Sequence, residues 1–180
     1  MKSFILVVAC LLTVAASAEA QSAIDMALAA APARAREGTT VIKWNADHTY
    51  ETLQQGTNQL VCYDRSSERG RRPFAVQCTN LANLDRVAQN RRFRAATTDR
   101  DSETAMIRAA EANGTRAEVA YGSMFIAMSG PDMASAGTHT TIAVPGATAA
   151  STGFPTSREG GGAYLMEAGT GGAHIMVPGR

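Results

Sequence analysis

Thr39-Thr40-Val41-Ile42-Lys43-Trp44-Asn45-Ala46-Asp47-His48-Thr49-Tyr50-Glu51-Thr52-Leu53 is the stretch whose pattern points to the fold. Val41, Lys43 and Asn45 alternate with Ile42 and Trp44, the two-residue period of a strand, and β-branched and aromatic side chains favour that state. Asn45 to His48 supply turn residues and Thr49 to Leu53 bring the chain back, which predicts a hairpin. Gly56-Thr57-Asn58 marks another turn, and Gln59 to Tyr63 reads as a third short strand carrying Cys62. Together the three predict an antiparallel meander.

Beyond the meander, Asp64 to Pro73 holds Arg65, Arg69, Arg71 and Arg72 with no apolar period, so a solvated loop is expected. Leu81, Leu84, Val87 and Ala88 then repeat at helical spacing behind a Thr79 or Asn80 cap, predicting a helix over 80–94 with its arginines toward the favourable C-terminal pole. A second helix is expected over 102–113, with Met106, Ile107 and Ala110 as its apolar stripe and Asn113-Gly114 as its stop. Glu118 to Met128 reads as a buried strand and Gly130-Pro131-Asp132 as a turn. Thr138 to Val144 reads as another strand, ended by Pro145. Gly146 to Gly162 is rich in Gly, Ala, Ser and Thr and predicts a long mobile loop. Tyr164 to Met166 and Ala173 to Val177 are the last extended segments. The fold class is therefore α+β, a largely antiparallel sheet with two helices on one face, in a single domain over 39–180.

Working back to the N-terminus, Lys2, the apolar run Phe4 to Val14 and the small-x-small site Ala18-Glu19-Ala20 have the layout of a secretory signal peptide over 1–20. Cys10 falls inside that apolar run and is assigned to the signal. Cleavage after Ala20 leaves about 160 residues, enough for one hydrophobic core. No later stretch approaches the roughly 18 apolar residues of a membrane-spanning helix, so no transmembrane segment is expected after cleavage. Residues 21–38 predict a helical leader, capped by Ser22 and ended by Pro32, loosely attached because alanine buries little surface. Export places Cys62 and Cys78, the two remaining cysteines, in an oxidising compartment, periplasmic or extracellular, where they are expected to pair. Bridging them would restrain the arginine loop by about 3 kcal/mol through unfolded-state entropy.

With 17 basic and 16 acidic residues the net charge is +1, which argues against a nucleic-acid partner. No G-x-S-x-G elbow and no phosphate loop occurs, since Lys43 is the sole lysine after the signal. Gly169-Thr170-Gly171-Gly172 precedes a strand and is assigned to a turn. Neither H-E-x-x-H nor C-x-x-C spacing is present, so no metal and no other cofactor is expected. Met124 and Met128 lie on a core-like strand, where methionine fills gaps. His139, His174 and Asp132, with Ser135 nearby, are the candidates that folding could bring together for catalysis. Arg86, Arg91, Arg92 and Arg94 are candidates for an anion-binding surface.

Four short motifs follow one another along the chain: Gly56-Thr57-Asn58 leading to Cys62, then Cys78, then Ser129-Gly130-Pro131-Asp132-Met133-Ala134-Ser135, and finally Gly172-Ala173-His174-Ile175-Met176-Val177-Pro178. In that order they resemble a family of uncharacterised exported bacterial proteins with two cysteines and a C-terminal G-x-H-I-M-V-P strand. Gln59-Leu60-Val61 stand where that family often carries a tryptophan. The resemblance implies export and a shared architecture, and it implies no reaction.

Two functions are weighed. The absence of catalytic signatures favours a small exported binding or interaction protein of the bacterial envelope or extracellular space, whose partner is an envelope component or a small ligand and whose oligomeric state is open. The alternative is an exported hydrolase or metal-dependent enzyme using His174, His139 and Asp132, which requires those groups to converge within hydrogen-bond reach of one substrate position.

Overall fold

A computed structural model describes residues 19–179. The expected signal peptide and Cys10 therefore lie outside the described residues, except for Glu19 and Ala20. Eight strands form one sheet: β1 (Thr40–Trp44), β2 (Tyr50–Gln54), β3 (Leu60–Asp64), β4 (Phe74–Asn80), β5 (Met124–Gly130), β6 (Gly137–Ala143), β7 (Tyr164–Met166) and β8 (His174–Pro178). Their order is β2-β1-β3-β4-β5-β6-β8-β7. Every neighbouring pair is antiparallel except β1 with β3. Helix α1 covers residues 19–27, α2 is Leu84–Ala95, α3 is Arg100–Ala112 and α4 is Ala149–Thr152. This is the α+β class expected, and no helix among the described residues is long and apolar enough to cross a membrane.

The meander is corrected. β1 and β2 form the hairpin, but β3 crosses back to the other side of β1 and pairs with it in parallel, Thr40 opposite Val61 and Val41 opposite Cys62. The reason lies in β1 itself, which buries Val41 on one face and Ile42 on the other and so sits inside the sheet, whereas β2 is largely exposed and makes an edge. The Gly-Thr-Asn turn makes the crossing. The carbonyl of Gly38 accepts from Thr57 N and Asn58 N, and the Asn58 amide donates to the Ala35 carbonyl at 3.0 Å. A Cβ on Gly56 would run into the backbone of Gly38, Thr39 and Thr40, so this close approach requires glycine.

The alternation of side chains builds two cores, one on each face. On one face Val41, Cys62, Val76, Cys78 and Ile126 meet Ile24, Ala27, Ala30 and Ala31 of the N-terminal segment. Ile42, Val61 and Tyr63 face the other way, against Leu84 and Val87 of α2. The segment read as a loose leader is thus part of the core, because small alanines let its backbone come close to the sheet. Its helix is already running at residue 19, so Ser22 is not its cap. The expected bridge is present: Cys62 and Cys78 face each other across β3 and β4, joined and fully buried.

Other boundaries moved for local reasons. β4 is absent from the sequence reading. Its apolar run is short and lies between a charged loop and a helix signal, yet it is central and buried on both faces. Asn80 caps a 3-10 turn, Leu81–Asn83, ahead of α2, and Asp99 caps α3 by accepting from Ser102 N at 2.8 Å. Residues 118–123 are not strand. Gly122 takes a left-handed conformation there, and the buried Asn83 side chain accepts from Ala120 N through Oδ1 at 2.9 Å. The long loop is pinned rather than free. Thr148 and Ser151 form a capping box on α4, Leu165 N donates to Pro155, and Gly146 N and Gly169 N tie the segment to its return.

Candidate functional site

Between α3 and the sheet lies a cavity of about 450 Å³. Its floor is the helix-bearing face of β5, β6 and β8, where the register places Phe125 beside Thr141 and Ala143 beside His174. α2 supplies Arg86, Asn90 and Arg94, and α3 contributes Thr104 and Ile107 from above. The turn between β7 and β8 closes the far end with Glu167 and Thr170. Glu167 has a left-handed backbone, and Thr170 Oγ1 donates to its carbonyl at 2.8 Å.

Arg86 and Arg116 are two of the four guanidiniums in the wall, with Arg94 and Arg108. Arg86 is buried on α2 and donates to the Ala117 carbonyl at 2.7 Å and the Gly171 carbonyl at 3.2 Å, fastening the segment after α3 to the turn before β8. Glu111 stands 3.9 Å from it, a loose ion pair, and burial lowers the Arg86 pKa. Arg116 donates to the side-chain amides of Gln89 and Asn90 rather than to a carboxylate, and its Nε is buried without a partner among the described residues. Burial, and then the neighbouring charge of Arg86, lowers its pKa to about 10. Gln89 holds this segment in place by accepting from Ala117 N at 3.0 Å and donating to the Thr115 carbonyl at 2.7 Å. The wall thus carries four guanidiniums against the carboxylates of Glu103, Glu111 and Glu167, and Arg116 forms an ion pair with none of the three.

Of the four catalytic candidates, only His174 lines this cavity. Its Nδ1 lies 2.8 Å from the Gly172 carbonyl, so in the neutral ring Nδ1–H donates there and Nε2 is the acceptor nitrogen. His139 shares that face of the sheet but pairs with Pro178, whereas His174 pairs with Ala143, four residues further along β6. Asp132 and Ser135 occupy the exposed turn between β5 and β6, where the Asp132 carboxylate accepts from Ser135 N and Ser135 Oγ, each at 2.8 Å. Those bonds hold the Asp132 carboxyl below the usual carboxylate range and serve the turn. The fold thus brings Asp132 and Ser135 together but does not carry either into the cavity with His174. No cluster of three or more metal-ligating side chains occurs among the described residues.

The anion-binding candidates divide. Arg86 lines the cavity, Arg92 is exposed, Arg91 turns toward the loop read as solvated, and Arg94 lines the cavity while also reaching Glu68 in that loop. That reading of the loop is corrected. Glu68 is buried at its centre, its side chain only 4% exposed, and accepts from Arg65 at 2.8 Å and from Arg91 and Arg94 of α2. Burial raises the Glu68 carboxyl, but Arg65, Arg94 and Arg91 outweigh it and hold the group below its ordinary value. Sequence reasoning missed Glu68, Glu111 and Arg116. Only Glu68 carried a signal, as the one acid among four arginines between 65 and 72.

Comparison of the chain with protein-family models, with curated proteins and with solved structures finds no match.

Proposed function

We propose that this chain is an exported binding protein of the bacterial envelope or extracellular space, and that it holds a small ligand bearing a carboxylate or similar anionic group in the cavity beneath α3. The observation that carries the reading is Arg116, a guanidinium in the cavity wall that bonds only neutral amide side chains among the described residues. A ligand anion supplies the directly bonded charge partner Arg116 lacks, Glu111 and Glu167 acting on it only from a distance, while the apolar body of the ligand rests on Phe125 and Ala143. A volume of about 450 Å³ lies within the range of small-molecule sites. Export is supported by the apolar N-terminal run and by the Cys62–Cys78 bridge, which suits an oxidising compartment.

The test is a thermal-shift screen of small carboxylates, confirmed by calorimetry, on the native protein and on Arg116→Gln and Thr141→Leu. Saturable binding that Arg116→Gln weakens at least tenfold, and that the leucine blocks by filling the floor, is expected. Binding unaffected by both substitutions removes the cavity from consideration. Mass spectrometry of the protein recovered from the cell envelope and medium tests export, with a mature N-terminus at Gln21 expected.

A further inference from the structure

A second space adjoins the first on the far side of Arg94 and belongs to different chemistry. It measures about 180 Å³, far above the ~15 Å³ that one water needs, and lies between the β3–β4 loop, Gln77 of β4 and α2. Arg65, Arg71, Arg91 and Arg94 line it with Glu68. Counting Arg69, five arginines here share two carboxylates, Glu68 and Glu103, since Arg69 and Arg94 both reach Glu103. Three positive charges are therefore uncompensated within the cluster. Arg65, Arg91 and Arg94 are at most 14% exposed in their side chains, so water screens that excess poorly. Arg91 Nε is a buried donor with no partner among the described residues. The cluster is also built rather than loose: Gln77 Oε1 accepts from Arg65 at 2.8 Å and from the Tyr63 hydroxyl at 3.0 Å, fixing the guanidinium. Arg71, 35% exposed, stands at the mouth. Burial, and then the neighbouring charges of Arg65 and Arg94, lower the Arg71 pKa to about 10.

We propose that the arginine cluster around Glu68 is a binding site for a compact tetrahedral oxyanion, a phosphate or sulfate group, entering past Arg71. Arginine forks match such groups with paired N–H donors, and an anion there satisfies charge that Glu68 alone does not. The site shares Arg94 with the cavity beneath α3 but not Arg116.

The probe is inorganic phosphate, titrated into the purified protein by calorimetry at constant ionic strength, with chloride as the reference. Saturable binding tighter than about 1 mM is expected, weakened at least tenfold in Arg71→Gln and unchanged in Arg116→Gln. In Glu68→Gln, phosphate should raise the melting temperature more than it does in the native protein, because the removed carboxylate leaves one more charge to neutralise. Should that variant fail to fold, Arg71→Gln carries the test. Flotation with phosphatidylglycerol vesicles separates the sources. Vesicle binding lost in Arg71→Gln assigns the group to a lipid headgroup, and phosphate binding without vesicle binding assigns it to a free anion. Equal response to phosphate and chloride, with no vesicle binding, overturns the proposal, as does phosphate affinity indifferent to Arg71→Gln.

Discussion

The carbonyl oxygen of Ala27 lies 4.0 Å from the Sγ of Cys78, so the N-terminal helix covers the disulfide directly. Both cysteines are fully buried beneath it. Reductant without denaturant should therefore leave the bridge intact, and alkylation of Cys62 and Cys78 should begin only when the fold opens. Replacing both by alanine should cost about 3 kcal/mol in chemical denaturation, the entropy of a loop this long. Rapid labelling of both thiols in native buffer would contradict this burial.

Glu68 links acid stability to the arginine cluster. Its carboxyl titrates below its ordinary value of 4.5 in the folded protein, so its contribution is complete above that value and is lost as pH falls through the folded pKa. Acid unfolding of the native protein should steepen below about pH 4.5, and Glu68→Gln should lack that component. At neutral pH and without added anion the same substitution should cost about 3–5 kcal/mol, because breaking a buried ion pair leaves its partners unanswered.

His139 acts at higher pH. Burial, and then Arg71, Arg65 and His174, depress its pKa below 6.5. The unfolded chain thus binds this proton first as pH falls, and stability declines from about pH 6.5 downward to the folded pKa. Urea midpoints measured between roughly pH 7.5 and pH 5 should show a slope that His139→Gln reduces. A histidine NMR titration in which His139 protonates at or above 6.5 would refute the assignment.

Gly56→Ala should destabilise the protein by about 1–3 kcal/mol, since the added methyl meets rigid backbone of residues 38–40 rather than a side chain that can move. Gly70→Ala places a methyl in open space, although at a left-handed residue, and should cost about 1 kcal/mol by backbone strain alone. Denaturant midpoints of the two variants check the contrast.

How far the fold was legible depended on whether a signal was local. The hairpin, both main helices and the cysteine pair were readable, because alternation, capping and helical spacing act over a few residues. The parallel pairing of β1 with β3 was not. Nothing in Gln59 to Tyr63 says which edge of the hairpin it will join, and the decision rests on Val41 and Ile42 both demanding cover. Phe74 to Asn80 hid for a similar reason, being too short a run to display a period beside the helix pattern that follows it. The candidate sites were less legible still. Arg91 and Arg94 looked like a surface stripe because their partner, Glu68, lies more than 20 residues earlier. The cavity is made by α3 crossing strands that come after it, and of its residues the sequence alone singles out Arg86, Arg94 and His174.

β4 and β5 pair directly, although 43 residues separate Asn80 from Met124 and both long helices leave and return within that interval. The helical hairpin is therefore an insertion hung from a continuous ladder, and α3 finds its main support in α2 rather than in the strands. Amide protons along α3 should exchange with deuterium well before those of Val76 or Ile126. Opening of this excursion should leave the hydrogen-bonded ribbon beneath it zipped.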